Sequence, residues 1–501
     1  MKYVLTLDVG TTAVKAGLFS EQLESISFAV REYRLLTPGP DQIEMDPEVY
    51  WSETKAAIRE AIMRAVIDPK DIISITCTTQ GETLIPVGND KNHLANAVVW
   101  LDSRAKSEAD FIDKGFEKIS IYQVTGLPEI NGYCPIAKVL WVKNNLPDLY
   151  SKTEKFLLLE DYLILRLCGI YVSNPSLMCS TGYFNIHSDL LWDEMLRYCG
   201  ISAEKFPPIA ASGTIAGKIL GSVADELGLS PEVMITTGAM DQVASAVGSG
   251  NTSVGIVSET TGTAQVVAAT CEKYLPQELS SVTIYRHAVA DAFLKIVINQ
   301  TAGIAYKWFR DEFCVDLMGP HADAFVAMGA LAEKEPVGSR GLVFFPHMTG
   351  MQFPQSDETL RGVFFGVGLD TNRGCFIRAI MEGVGFMLRE SIEEMNLMPE
   401  SIFSLGGGAK SALWSQIKAD ISGIKITILE QPESTSLGAA VMGCIAMGIY
   451  RDYQTAVKAL VKKDEFQPDP ASYNLYQPAY AEYQAMYGLF SPLFKNRKNR
   501  S

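Results

Sequence analysis

The chain has 501 residues, 47% of them hydrophobic and 20% charged, a balance that excludes disordered and fibrous classes. This length exceeds what one hydrophobic core usually organises, so we expect two large domains or three smaller ones. The net charge of −15, from 43 Lys and Arg against 58 Asp and Glu, argues against nucleic acid or an anionic membrane as the main partner.

The N-terminal segment predicts a β-hairpin followed by a helix. Tyr3–Asp8 is typical of a strand, Val9–Thr12 of a turn, and Val14–Phe19 of a returning strand. Asp46, followed by proline and glutamate, predicts a capped helix start, and apolar spacing continues to about Val66. A buried strand at residues 72–76 comes next, and the same alternation through the chain indicates an α/β protein.

The first turn has the composition of a phosphate-binding segment. Its glycine and threonines would leave backbone N–H groups and hydroxyls free for phosphate oxygens. Asp8, at the mouth of the turn, could hold magnesium through water, and Lys15 could place a cation near the phosphates. An ordinary tight hairpin is the alternative for this stretch taken alone.

The segment Gly238–Gln242 leads into a run of small residues, Ala244–Gly248, that predicts a helix. Asp241 would lie at the start of that helix, with its carboxylate directed toward the boundary between two lobes. A common helix N-cap is the alternative interpretation of this aspartate.

A second hairpin pattern occupies Gly255–Val267, with a Thr-Gly-Thr turn at residues 261–263. It resembles the first hairpin about half a chain later, which indicates two lobes of related design. We place the boundary in the small-residue cluster near position 250 and expect an N-terminal lobe of residues 1–248 and a C-terminal lobe of residues 249–501.

The stretch Ser404–Ser411 contains three consecutive glycines between a strand and a helix. It departs from the phosphate-binding P-loop pattern, because Ala409 stands where glycine should precede the lysine. Glycines at this place would let the backbone approach a flat ligand such as adenine, although close packing of helix on strand would explain them equally well.

The nine cysteines are scattered and form no C-x-x-C pair, which predicts buried thiols in a reducing compartment. No signal-peptide pattern and no run of about 18 apolar residues occurs in the sequence. We therefore expect a cytoplasmic protein without a membrane span.

Taken together and in order, several motifs resemble the FGGY carbohydrate kinase family, which includes xylulokinase and glycerol kinase. They are Asp8–Thr12, Tyr133–Trp141, Gly238–Gln242, Thr261–Thr263, Arg361–Gly362, Arg378–Gly383 and Gly406–Ser411. The resemblance implies a two-lobed, actin-like ATPase (ribonuclease H-like) fold with the active site in the interdomain cleft. It also implies ATP and Mg²⁺ as cofactors and a sugar hydroxyl as the acceptor.

The same resemblance implies a role for each matching residue. Asp241 would be the catalytic base and Asp8 the magnesium-associated aspartate. The nucleotide-binding residues would be Thr11, Thr12, Lys15, Gly262, Thr263, Gly407, Gly408 and Ser411. The substrate-binding residues would be Gln80, Glu82, Asp102, Arg104, Tyr133 and Gln242.

The acceptor itself stays open at this point. Glycerol kinases carry an arginine where this chain has Gly81, but they share the following glutamate, Glu82. Xylulokinases carry a Met-His pair near Thr79 and Gln80, and this chain lacks that histidine. We expect a pentulose such as xylulose, with glycerol or erythritol as alternatives; a catalytically silent sugar sensor is the competing class. A homodimer is compatible with the sequence.

Overall fold

The computed structural model describes residues 1–272, 276–319 and 323–498. Strands in these ranges are β1 Tyr3–Val9, β2 Ala13–Ser20, β3 Ser25–Glu32, β4 Leu36–Gly39, β5 Gln42–Met45, β6 Ile72–Thr79, β7 Leu84–Val87, β8 Ala97–Val98, β9 Lys155–Leu158, β10 Phe184–Asn185, β11 Leu190–Leu191, β12 Ile215–Lys218, β13 Met234–Thr236, β14 Ile256–Thr261, β15 Gln265–Glu272, β16 Thr283–Arg286, β17 Ala292–Asn299, β18 Val343–Phe345, β19 Val363–Phe365, β20 Ser401–Leu405, β21 Ile426–Leu429 and β22 Lys462–Phe466.

The helices in the same ranges are α1 Pro47–Ala65, α2 Lys106–Asp113, α3 Lys118–Thr125, α4 Pro135–Asn145, α5 Pro147–Lys152, α6 Leu159–Cys168, α7 Pro175–Met178, α8 Asp193–Cys199, α9 Gly221–Leu227, α10 Asp241–Gly248, α11 Gly303–Phe313, α12 Ala324–Ala332, α13 Arg373–Glu394, α14 Ala412–Ser422, α15 Ser434–Ala446, α16 Tyr453–Val457 and α17 Pro470–Lys498. None of these helices is both long enough and apolar enough to cross a bilayer.

Two large mixed sheets share one pattern of strand order and direction. The first has the order β12-β13-β6-β1-β2-β3, and the second has the order β16-β17-β15-β14-β20-β21-β22. In each, a three-stranded antiparallel meander continues into two parallel strands and one antiparallel strand. The second sheet adds β16 at its edge. The α/β class and the two-lobed organisation predicted from the sequence are therefore confirmed.

The local elements predicted near the N-terminus are present. Strands β1 and β2 form the antiparallel hairpin, with Asp8 opposite Lys15. Helix α1 begins after Asp46, whose carboxylate accepts a hydrogen bond from Glu48 N at 2.9 Å. Strand β6 runs three residues beyond its predicted end, because its pairing with β1 continues from Cys77 to Thr79.

Helices α10 and α15 connect the two lobes by packing backbone against backbone. A Cβ placed on Gly248 would lie 1.9 Å from Ser434 O, and one on Gly438 would lie 1.9 Å from Ala244 O. Helix α15 follows β21 of the second sheet but packs on β1 and β6 of the first, where a Cβ on Gly443 would lie 2.5 Å from Thr76 Oγ1. The chain thus returns to the first lobe beside the helix that begins at Asp241.

All nine cysteines are buried free thiols, as the sequence predicts. A smaller five-stranded sheet has the order β4-β5-β8-β7-β9. The loop after Thr79 leads from β6 into its strand β7, and the loop after Val98 leaves its strand β8.

Candidate active site

Asp241 is the first residue of α10 and does not act as its N-cap. The residue before the helix is Met240, which makes no side-chain cap hydrogen bond. Within residues 1–272, 276–319 and 323–498, the Asp241 carboxylate accepts one backbone hydrogen bond, from Gln242 N to Oδ1 at 2.6 Å. The capping alternative is therefore not what the structure shows, and the second carboxylate oxygen remains available for a ligand.

A buried polar network fixes the loop that leads into Asp241. Gly238 N donates to Glu160 Oε1 at 2.8 Å, and Met240 N donates to Ser176 Oγ at 3.1 Å. Asn174 Nδ2 also donates to Glu160 Oε1, at 3.0 Å. Burial raises the pKa of Glu160 to about 8. This network holds the backbone ahead of Asp241 in one conformation.

Asp8 lies near the end of β1, flanked by Lys15 on β2 and Thr78 on β6. Burial raises its pKa to about 6, the Lys15 ammonium opposes that rise, and Glu433 adds to it. Lys15 itself forms an ion pair with Glu433, the residue just before α15. The Lys15 ammonium, which the sequence places near the phosphates, is thus paired with a carboxylate from the other half of the chain.

Asp8 and Glu82 lie close enough to Asp241 to perturb its pKa. Burial raises the pKa of Asp241 to about 7, and the carboxylates of Asp8 and Glu82 contribute to the rise. Burial also raises the pKa of Glu82. Among the described residues, no three His, Cys, Asp or Glu side chains are arranged to hold a metal ion directly.

Glu82 occupies a strained turn supported by a buried lysine. Its φ is 55°, and Thr83 N donates to Gly81 O at 2.7 Å, which closes a tight turn around it. Lys138 Nζ donates to Glu82 O at 3.1 Å and to Val99 O at 2.9 Å. Burial lowers the pKa of Lys138 to about 8. The lysine therefore anchors the backbone that presents the Glu82 carboxylate.

Two other predicted substrate residues differ in their surroundings. Gln80 is buried, and its Nε2 donates to Tyr50 OH at 3.2 Å. Its Oε1 is also buried and has no hydrogen-bond partner in the part of the chain that the structure describes. Tyr133 is 44% exposed and lies two residues before Pro135, the first residue of α4. Gln242 is partly buried beside Asp241.

Asp102 and Arg104 have their polar atoms engaged inside the first lobe. Both oxygens of the fully buried Asp102 accept from Arg104, and Oδ2 also accepts from Ile43 N at 2.6 Å. Arg104 Nη2 donates to Glu44 at 2.7 Å, and the guanidinium lies 5.1 Å from the Trp141 ring centre. These contacts fix the loop that follows Val98, and the carbonyl of Val99 in this loop accepts from Lys138.

Tyr285 approaches the same carboxylates from the second sheet. Its neighbours on β16 join the first lobe, because Ile284 N donates to Gly126 O and Arg286 N to Cys179 Sγ, each at 2.9 Å. Burial, with Glu82 nearby, holds the pKa of Tyr285 well above its usual value. The phenol therefore stays protonated and can donate a hydrogen bond.

The first glycine-threonine turn is closed by a hydrogen bond from Gly10 N to Ala13 O at 3.0 Å. Trp100 Nε1 donates to Thr11 Oγ1 at 2.8 Å, which orients that hydroxyl. Thr12 is exposed at the tip of the turn.

The second turn joins β14 to β15 and meets the start of α11. Gly262 N donates to Ala264 O at 2.9 Å, and both Gly262 and Thr263 are exposed. Gly303 N donates to Gly262 O at 2.9 Å, and Ala302 N donates to Thr263 O at 3.1 Å. The backbone N–H groups of Ala302 and Gly303, at the start of α11, thus donate to the carbonyl groups of this turn.

The glycine triplet lies between β20 and α14. Gly407 is exposed, whereas Gly408 is buried and begins a short 3-10 helix, Gly408–Lys410. Ser411 is the N-cap of α14, and its hydroxyl accepts from Trp414 N at 3.3 Å. The hydroxyl of Ser411 therefore already accepts a hydrogen bond within the protein, whereas the exposed backbone of Gly407 could contact a ligand.

Sequence reasoning missed Glu160, Lys138, Tyr285 and Glu433 as parts of this site. Glu160 and Lys138 do carry a signal, because Lys138 stands alone in an apolar run and Glu160 stands beside Asp161 in another. Tyr285 and Glu433 carry none, because their relevance depends on contacts between distant parts of the chain.

Two family models match almost the whole chain. The N-terminal domain of the FGGY family of carbohydrate kinases matches residues 3–248, and its C-terminal domain matches residues 257–447. The chain belongs to the FGGY family of carbohydrate kinases. As a member of this family it is a sugar phosphotransferase.

Several FGGY kinases resemble the chain over its full length. The xylulose kinase of Bacillus subtilis (strain 168) is 28% identical over 491 residues, which cover 97% of each chain. The gluconokinase of the same organism is 29% identical over 458 residues, covering 89% of this chain and 88% of that one. The crystal structure of ligand-bound xylulose kinase from Lactobacillus acidophilus superposes with a TM-score of 0.90 at 25% identity, covering 99% of this chain and all of that one.

Proposed function

We propose that this FGGY kinase transfers the γ-phosphoryl group of ATP to a hydroxyl of a small neutral sugar, with a pentulose such as xylulose as the first candidate. The observation that carries this proposal is Asp241, at a helix start beside Asp8 and Glu82, with its pKa raised to about 7. A carboxylate with that pKa is matched to accepting a proton near neutral pH.

In the proposed reaction, Asp241 orients the acceptor hydroxyl and takes its proton as the oxygen bonds to the γ-phosphorus and the bond to the ADP oxygen breaks. Positioning and charge neutralisation account for most catalysis of phosphoryl transfer. Glu82, in its strained turn, would accept hydrogen bonds from sugar hydroxyls, and Tyr285 would donate one. Gln80 Oε1, which is buried without a partner, would accept another.

The chemistry of Asp8 fits a magnesium ion. Its carboxylate offers hard oxygen atoms, and its pKa is raised to about 6, partly by Glu433, so a nearby cation would stabilise its charged form. Asp8 would hold Mg²⁺ through water, which leaves the Asp241 carboxylate to act as the base. When bound, the ion supplies positive charge that offsets charge on the transferring phosphoryl group.

For the nucleotide, we propose that Thr11 and Thr12 of the first turn and Gly262 and Thr263 of the second contact the β- and γ-phosphates. The exposed positions of Thr12, Gly262 and Thr263 support this assignment. Lys15 would exchange Glu433 for a phosphate oxygen when ATP binds.

The adenosine part of the nucleotide would lie against Gly407 and Gly408, with Ser411 holding the following helix start. We further propose that the lobes divide near residue 248, and that the chain works in the cytoplasm, where its nine free thiols would stay reduced.

The charges around the sugar end favour a neutral acceptor over an acid such as gluconate. Arg104 is committed to Asp102 and Glu44, and Lys138 Nζ to two backbone carbonyls. The charged groups that perturb the pKa of Asp241 are the carboxylates of Asp8 and Glu82, so an anionic acceptor beside Asp241 would meet repulsion.

Glycerol or erythritol is the alternative acceptor, since Glu82 matches the polyol-contacting glutamate of glycerol kinases. The arginine that accompanies that glutamate cannot be accommodated here without rearrangement. A Cβ placed on Gly81 would lie 3.0 Å from Met240 Sδ and 3.1 Å from Ser180 Oγ. We therefore rank the pentulose first.

An ADP-release assay with separate pentuloses, hexuloses, polyols and gluconate tests the proposal. We expect turnover with a neutral ketose and none with gluconate, and loss of that turnover in Asp241→Asn. A chain that binds nucleotide and sugar but releases no ADP with any acceptor would instead be a sensor.

A further inference from the structure

A fully buried ion pair lies directly beneath the second phosphate turn. Glu259 on β14 and Lys418 on α14 are both 0% exposed, and Lys418 Nζ donates to the two carboxylate oxygens at 2.8 and 3.0 Å. Neither residue belongs to the motifs from which the family resemblance was drawn. The pair is 159 residues apart in sequence and connects two elements of the second lobe.

The ion pair is the centre of a larger hydrogen-bonded cluster. Ser404 Oγ donates to Glu259 Oε2 at 2.7 Å, and the Thr261 hydroxyl donates to Glu259 Oε1. Lys418 Nζ also donates to Thr261 Oγ1 at 2.9 Å. The Thr261 hydroxyl therefore both donates and accepts within the cluster, and its rotamer is fixed.

Three members of the cluster, Glu259, Thr261 and Ser404, lie near the ends of the strands that carry the two nucleotide segments. Strands β14 and β20 are parallel neighbours, with Glu259 opposite Ser404. Thr261 directly precedes the turn at Gly262, and Ser404 stands two residues before the glycine triplet.

Thr261 also brings the turn at Gly262 into contact with the glycine loop at Gly408. A Cβ placed on Gly408 would lie 2.7 Å from Thr261 Cβ and 3.4 Å from Lys418 Nζ. The glycine loop thus rests on Thr261 with no space between them, and any shift of that threonine would be transmitted to the loop.

Stability alone does not account for such a pair. Replacing a buried ion pair by apolar residues of similar volume is often neutral or stabilising, because desolvation offsets the attraction between the charges. What apolar residues cannot supply is directional hydrogen bonding to two strand ends at once.

Resting on the proposed function, we propose that Glu259 and Lys418 are positioning residues for ATP. Through Thr261 and Ser404, they fix the turn at Gly262 relative to the loop at Gly408, and so set the distance between the phosphate and adenosine subsites. The ligand class is a nucleoside triphosphate or diphosphate with Mg²⁺, and the sugar subsite is not involved.

Substitutions at Thr261 give the cleanest test, because they leave the ion pair in place. Thr261→Val removes the hydroxyl and keeps the shape, whereas Thr261→Ser keeps the hydroxyl. We expect Thr261→Val to raise the Kd for Mg·ADP and the KM for ATP by about 10-fold or more, since hydrogen bonds to both charged groups are lost. Thr261→Ser should restore both values, and the KM for sugar should stay within about twofold in both variants.

A double variant tests the pair itself. Glu259→Leu combined with Lys418→Met removes both charges at similar volume, so the fold should be retained. Its Kd for Mg·ADP, measured by calorimetry, should rise as in Thr261→Val. The matched control is Arg378→Met with Glu382→Leu, which removes another buried ion pair of the second lobe, on α13. That control should also retain the fold and should keep Mg·ADP binding within about twofold.

The outcomes separate this inference from the proposed function. Wild-type binding of Mg·ADP by folded Thr261→Val and by the double variant would overturn the positioning role, as would equal weakening in the control. A wild-type chain that does not bind Mg·ADP would overturn it too. Nucleotide binding that follows the expected series, without phosphorylation of any acceptor, would support the positioning role and refute only the kinase assignment.

Discussion

Replacing Asp241 by asparagine should abolish most turnover while leaving the site intact. The amide oxygen of asparagine can still accept the hydrogen bond from Gln242 N, which spans 2.6 Å in the wild-type chain. The amide cannot take a proton from the acceptor hydroxyl, so turnover should fall by about 10²–10⁴-fold. Binding of sugar and of ATP should persist.

The same substitution should make the protein more stable at alkaline pH. The pKa of Asp241 is raised from 3.8 to about 7 in the folded chain. Between these values the unfolded chain releases the proton that the folded chain retains, so folding stability falls as pH rises toward 7. About three pKa units correspond to at most about 4 kcal/mol. Asparagine carries no charge and avoids this cost.

Two measurements check this prediction. Steady-state kinetics at saturating sugar and ATP should show the loss of turnover, and wild-type kcat/KM should fall on acidification through about pH 7, where the Asp241 pKa lies. Thermal unfolding at pH 8 should give a higher Tm for the variant, with the gain shrinking at pH 5. A variant that retains more than about a tenth of wild-type turnover would refute the base assignment. A lower Tm at pH 8 would refute the electrostatic reasoning.

Three further substitutions address the other parts of the site. Glu82→Ala should lower kcat/KM for sugar by about 10–100-fold without lowering the Tm, because it removes a buried carboxylate of raised pKa; a defect that follows ATP instead would remove Glu82 from the sugar pocket. Thr263→Val should weaken ATP usage more than sugar usage, as judged by the two KM values, and unchanged ATP kinetics would place Thr263 outside the nucleotide site. Glu433→Gln should release Lys15 and lower the KM for ATP by about two- to fivefold, the range expected for a pair with side chains 27% and 37% exposed; an unchanged KM would mean that the ion pair does not compete with phosphate.

The sequence predicted the elements whose signals are local. Both hairpins, helix α1 and the helix that begins at Asp241 follow from turn residues, caps and apolar spacing within a few residues. The similar design of the two lobes was also predictable, because the Thr-rich turn occurs twice in the sequence and the strand order occurs twice in the sheets.

The partners of the site residues could not be predicted, because they lie far away in sequence. Lys15 meets Glu433 across 418 residues, and Gly238 meets Glu160 across 78. No local pattern encodes such a pairing, which depends on how the lobes pack. The substrate role of Asp102 and Arg104 stays a prediction, and the structure adds that these residues pair with each other and with Glu44.

The candidate site concentrates features that cost folding free energy. Asp8, Glu82 and Asp241 are carboxylates with raised pKa values, and Glu82 adds a left-handed backbone conformation. Burial is the main cause of each raised pKa, and Asp8 and Glu82 add to the rise at Asp241. In the proposed function, a cation and the hydroxyl groups of the sugar would satisfy these carboxylates, so we expect ligand binding to stabilise the folded chain. The free energy of that binding would then help to hold the acceptor, the nucleotide and the base in line for transfer.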